Sequence, residues 1–111
     1  MSNFTHHMSL WLDNEPGSYE EMLECVREAI ADPFKSMVSI ELERRILWKS
    51  QALMKELVED AVHDVLDTLP EGIAAGIVRE FVTMGLANVE WGEIAENYIE
   101  TVREDERFAA V

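Results

Sequence analysis

Asp60 and His63 stand three residues apart, with Glu59 and Asp67 one turn to either side of the histidine. On a helix this spacing stacks a carboxylate and an imidazole on one face, the pairing that helical bundles use twice over to hold two metal ions. Such a site needs the motif twice plus two further carboxylates. The chain has no second copy, so no metal ligand is assigned. His6 and His7 read as local packing and capping at the start of a first helix. Cys25 lies beside an apolar stripe, with no His-Asn or His-Asp pattern pointing to it, and reads as a structural thiol. No nucleophile elbow, phosphate loop, dinucleotide fingerprint or paired-cysteine motif occurs, and Gly72 and Gly76 lack the other members of a phosphate loop. The expectation is a non-enzymatic protein with no catalytic, cofactor-binding or metal residues.

The spacing that does recur belongs to the acids. Glu20, Glu24 and Glu28 are four apart, as are Glu56, Asp60 and Asp64, and again Glu96, Glu100 and Glu104. Like charges at this spacing cost a helix roughly 0.2–0.5 kcal/mol per pair. One reading is a surface that imitates the phosphate track of a nucleic acid or fits a basic protein groove. The other is three solvated helix faces. The net charge of −14 over 111 residues disfavours nonspecific binding to DNA, RNA or an anionic membrane, and favours a basic partner. Five of the nine basic residues, Lys35, Arg44, Arg45, Lys49 and Lys55, fall within 21 positions, opposed there only by Glu41 and Glu43. With the rest of the chain so acidic, pairing within the chain or across a dimer is the preferred reading of that segment.

Composition bounds the rest. The length suits one domain, and 48% apolar residues suit a folded core rather than a disordered tail. A single cysteine excludes an internal disulfide. No apolar run reaches transmembrane length, and the start, MSNFTHHM, lacks the basic and apolar regions of a signal peptide. The expected location is the cytoplasm.

The elements that must position the acids are helices. Asn3 to Asp13 forms the first, with Thr5 as N-cap and Met8, Trp11 and Leu12 on one face. Asp13-Asn14-Glu15-Pro16-Gly17 stops it. Ser18 and Glu21 have capping-box spacing for a second helix, Tyr19 to Ala31, striped by Tyr19, Leu23, Val26 and Ile30. Asp32-Pro33 restarts the chain. A long helix from 36 to 68 follows, with apolar pairs from Leu53/Met54 to Val65/Leu66. Its beginning is open, because Val38, Ile40 and Leu42 alternate as a strand would. Such a helix is roughly 50 Å long, against a radius of gyration of about 13 Å for a compact chain of this size. It must therefore kink, or protrude and be shielded by another copy. Pro70-Glu71-Gly72 ends it. A fourth helix, Ile73 to Gly85, carries Ile77, Val78, Phe81, Val82 and Met84 as core bulk. Asn88 caps a fifth, with Trp91, Ile94, Ala95, Tyr98, Ile99 and Val102 inward. Residues 103–111 are expected to fray. Trp11, Trp48 and Trp91 read as packing anchors, Trp11 and Tyr19 meeting Trp91 or its neighbours in the core, and Trp48 as the most exposed. The fold class is all-α: a single acidic domain, 1–111, of four to five helices around one long central helix.

Two segments carry a resemblance. THHMSLWLDNEPGSY (Thr5–Tyr19) and NVEWGEIAE (Asn88–Glu96) resemble a group of small uncharacterised proteins of bacteriophages and other mobile elements, marked by LWLxN[DE]xGxY and V[DN]WxEIA. The likeness covers about a quarter of the chain, at its two ends. Pro16 and Glu90 depart from the pattern, which has an acidic residue at the first and Asp or Asn at the second. The group has no established activity, so no site residue is carried over. The resemblance implies a mobile-element origin. Small acidic proteins of that origin often block host defence. The expected function is therefore an anti-defence (anti-CRISPR or anti-restriction) inhibitor that binds a host protein with a basic nucleic-acid-binding surface by mimicry, in the host cytoplasm, with no direct contact to nucleic acid or membrane. The alternative is a structural or regulatory helical homodimer without inhibitory role.

Overall fold

The computed structural model describes residues 2–31 and 39–109. Five helices, α1 (Asn3–Asn14), α2 (Pro16–Ala31), α3 (Ser39–Leu66), α4 (Ile73–Ala87) and α5 (Trp91–Ala109), account for its secondary structure, with no strand among the described residues. The restart at Asp32-Pro33 and the basic Lys35 lie outside them. Of the stretch that alternates like a strand, Ser39 to Leu42 is helical; Met37 and Val38 lie outside.

Local chemistry sets the ends of the helices, often through a neighbour of the residue expected. Ser2, not Thr5, caps α1: its hydroxyl accepts from the Thr5 N–H at 3.2 Å. Thr5 is fully buried, and its hydroxyl accepts from the Glu90 N–H at 2.8 Å, tying α1 to the start of α5. Glu15, not Ser18, caps α2. Its carboxylate accepts from the Ser18 N–H at 2.6 Å, which leaves Pro16 at the first helical position, where a missing N–H costs nothing. That same bond holds the Glu15 carboxyl below its ordinary pKa. Asn88 closes α4 rather than opening α5: its side-chain amide donates to the Met84 carbonyl at 2.8 Å. Gly72 precedes α4 at φ 147°, backbone that only glycine adopts without strain. Beyond Arg103, where fraying was expected, α5 continues to Ala109.

The body of the molecule is α2, α3 and α5 packed against one another, with α1 laid over α2 and α5. Leu12, Met22, Val26, Met54, Ile94, Tyr98 and Val102 meet in its core. The Tyr98 hydroxyl donates to the Asp13 carboxylate at 2.6 Å, and Tyr19 tilts against the Tyr98 ring at 5.7 Å. Tyr19 thus meets Tyr98, a neighbour of Trp91 on the inner face of α5. Trp91 is buried, while Trp11, expected beside it or its neighbours, is 62% exposed. The position of Trp11 within α1 turns it toward the unfilled side of α1 rather than toward α5. Trp48 is exposed, in agreement with its sequence context.

α3 does not kink. Its 28 residues span roughly 42 Å and outrun the body, giving overall dimensions of 55 × 28 × 24 Å and a radius of gyration of 16.3 Å. The far half of α3 and α4 form an arm. α4 packs closely against no other helix. Two contacts help hold it: the Phe4 ring lies over Gly85, so near that an added Cβ would meet it at 3.3 Å, and the Arg79 guanidinium donates to the Leu66 and Leu69 carbonyls at 3.3 and 3.2 Å. Those carbonyls end α3, so Arg79 places a cation where the helix dipole is negative. Only Ala75 and Leu86 of α4 are buried, which corrects the reading of its apolar residues as core bulk.

Candidate interaction surfaces

The nine ridge carboxylates, Glu20, Glu24, Glu28, Glu56, Asp60, Asp64, Glu96, Glu100 and Glu104, are all solvent-exposed. Helix periodicity makes them so: each ridge lies across its helix from the residues that enter the body. The α2 and α5 ridges stand on helices that pack against each other. The Arg27 guanidinium, hydrogen-bonded to Glu24 at 2.7 Å, is held above its ordinary pKa chiefly by that bond, with smaller contributions from Glu20 and from Asp105 of α5. The α5 ridge is less purely acidic. A shallow depression of about 430 Å³ brings Glu96, Glu100 and Glu104 beside Arg44 and Arg103, and Arg103 pairs with Glu43. Part of the basic segment therefore meets an acidic ridge within the chain. The α3 ridge stands on the arm. At about 100° per residue, Glu56, Asp60 and Asp64 fall on the far side of α3 from Val58, Val62 and Leu66.

Asp60 and His63 are both exposed. Among the described residues no three His, Cys, Asp or Glu side chains converge as a metal ion would need. His6 and His7 are exposed and tilt against each other at 5.9 Å. Cys25 is a buried free thiol. Burial first, then the nearby charges of Glu28, Glu21 and Glu24, push its pKa from 9.0 up to about 11, so it stays protonated and unreactive at neutral pH. At the start of α5, a hydrogen bond in which the Glu90 carboxylate accepts holds the Glu93 carboxyl above its ordinary pKa. No described helix is long and apolar enough to cross a membrane.

A roomier cavity than that depression lies elsewhere. An apolar cleft of about 780 Å³ opens between the arm and α1, walled by Leu57, Val62 and Leu66 of α3 and by Val78, Phe81 and Val82 of α4, and floored by Met8, Trp11 and Met22. Its polar lining is limited to His7, Ser18 and Glu21. With the rest of its lining apolar, the cleft is suited to bind apolar surface. From the cleft's edge at Phe81, α4 exposes a second strip that continues through Ile73, Ile77 and Met84. Sequence reasoning took these residues for core. The signal that could have found them is the width of the apolar arc: only Arg79, Glu80 and Thr83 of α4 are polar. A helix so apolar on nearly all sides needs burial on more than one face.

No protein-family model matches the chain, and no curated protein or solved structure matches it either.

Proposed function

We propose that this protein is a non-enzymatic interaction protein that occupies the basic, nucleic-acid-binding surface of another protein, as an anti-defence inhibitor from a mobile element would. The observation that supports this reading most is the pair of exposed acidic ridges on α2 and α5, which are packed neighbours. One helical turn sets successive carboxylates about 6 Å apart, so the two helices offer rows of negative charge on a rigid frame. The rows persist although they weaken their own helices. The resemblance of the two chain ends to mobile-element proteins fits the same reading.

The test is binding to candidate host nucleases and other basic nucleic-acid-binding proteins, measured across salt concentrations. The expected affinity falls steeply as salt rises, because the contact is between opposite charges. Reversing charge at Glu20, Glu24 and Glu28, or at Glu96, Glu100 and Glu104, is expected to weaken binding at least about tenfold with helix content unchanged. The α2 set should show the larger effect, since Arg44 and Arg103 already dilute the α5 ridge. A complex indifferent to salt, or to both triple reversals, rules the mimic out.

A further inference from the structure

We infer that α4 is a self-association surface, and that its occupant is the α4 of a second copy of this chain. The inference does not depend on the inhibitor reading. Three features of the arm carry it. The first is spacing. Ile73, Ile77, Phe81 and Met84 follow at intervals of four, four and three, the rhythm of a helix–helix seam, and lie within about 80° of arc. They face solvent, Ile73 at 86% and Phe81 at 69% exposure.

The second is charge. The chain carries −14, yet α4 contains one Arg and one Glu, and that Arg79 is tied to the α3 carbonyls. α4 thus carries no net charge, and Glu80 beside the strip is the single carboxylate it presents to another acidic copy, whereas a basic partner would be drawn to α2 and α5. The third is area. Side chains of this size carry roughly 150–250 Å² each. The exposed parts of the four strip residues come to on the order of 500 Å² per copy, about 1,000 Å² for the pair, where specific interfaces begin. A patch that large is not left open on a monomer without a use.

A two-fold axis perpendicular to the helices makes the pairing antiparallel. It sets Ile77 against Phe81 of the second copy and Ile73 against Met84 of the second copy. The axis lies near Val78 and Arg79, and the long α3 helices then flank the paired α4 helices. That shields the protruding half of α3.

Sedimentation of the full-length protein tests this. The expected species is a dimer whose population grows as NaCl rises from about 0.05 M to about 0.5 M, because salt screens the repulsion between two acidic chains. This trend is opposite to that expected for the basic partner, so the two ideas fail separately. Ile77→Lys and Phe81→Asp should each weaken the dimer on the order of 100-fold. Both sites are exposed in the single chain, so circular dichroism and the monomer's melting temperature should stay put. Mixing the two variants should restore a dimer, since lysine at 77 then faces aspartate at 81. A monomer at high salt overturns the proposal, as does a dimer that survives either substitution. Failure of the mixture to re-associate overturns the antiparallel pairing.

Discussion

α4 and α5 make an instructive pair. α5 is the more polar helix, with six acidic residues from Glu93 to Glu106, yet it buries Trp91, Ile94, Ala95, Tyr98, Ile99 and Val102. α4 has a single acidic residue and buries only Ala75 and Leu86. Apolar content therefore does not decide what is buried; neighbours do. α5 lies between α2 and α3, and every apolar residue on its inner face has a partner. α4 sits at the end of a helix that has outrun the body, with a cleft on one side and solvent on the other. An apolar stripe states that a face needs a partner. It does not state that the partner belongs to the same fold.

The sharpest way to break this comparison is to truncate one residue from each helix. Ile94 is fully buried, and Ile94→Ala should lower unfolding free energy by about 2–5 kcal/mol through lost burial and the cavity left behind. Phe81→Ala removes more atoms but should change the stability of the dilute monomer by no more than about 0.5 kcal/mol. Urea titrations at low protein concentration read both. A cost for Phe81→Ala as large as that for Ile94→Ala would mean that α4 belongs to the body after all.

A second contrast comes from pH. The buried Cys25 thiol has its pKa raised from 9.0 to about 11, so the unfolded chain loses that proton first as pH climbs. Its contribution to stability is whole below pH 9 and is lost as pH rises toward 11, at no more than about 1.4 kcal/mol per pH unit. Tyr98 is raised as well, by burial first and by its hydrogen bond to Asp13 second, from 10.0. It adds to the loss mainly above pH 10. Both groups lie in the body. Cys25→Ala should flatten the stability profile between pH 9 and 10, while hydrogen exchange of α4 should not follow that profile.

Arg79 offers a smaller effect confined to the arm. Arg79→Met keeps the stem and removes both bonds to the end of α3. The expected cost is on the order of 1 kcal/mol, read as faster hydrogen exchange across α4 with α5 unchanged. Equal acceleration in both helices would mean that arm and body open as one unit.

Much of the frame was legible in the chain. The four-residue repeats of apolar pairs predicted α3, the acids at i, i+4 predicted which faces are solvated, and Trp91 through Val102 predicted the inner face of α5. Caps were legible as clusters and not as single residues. Ser2 and Thr5, or Glu15 and Ser18, can each supply an acceptor, and the backbone entry angle, a tertiary property, chooses between them. Arg79 was unreadable for the same reason: its acceptors are 10 and 13 residues away, on a helix end that only the hairpin brings near. The cleft was missed because periodicity reports how wide a stripe is, and not whether the domain has enough neighbours to cover it.

The smallest effect separates body from arm at the level of one hydroxyl. Ser50 is fully buried in α3, and its Oγ has no hydrogen-bond partner among the described residues. Burying an unpaired hydroxyl forfeits its bonds to water. Removing the oxygen while keeping Cβ leaves almost no void, so Ser50→Ala should be neutral or stabilising by up to about 1 kcal/mol. On the arm, Thr83 is exposed and its hydroxyl donates to the Arg79 carbonyl at 2.7 Å, where water can replace it. Thr83→Ala should then move stability by no more than about 0.5 kcal/mol, with the slightly better helix propensity of alanine as its main source. Urea midpoints for the two variants at equal protein concentration decide the matter. A loss greater than about 1 kcal/mol for Ser50→Ala would mean that its hydroxyl is bonded in solution. The crossing of α3 with the other body helices would then hold a polar contact rather than only a small side chain.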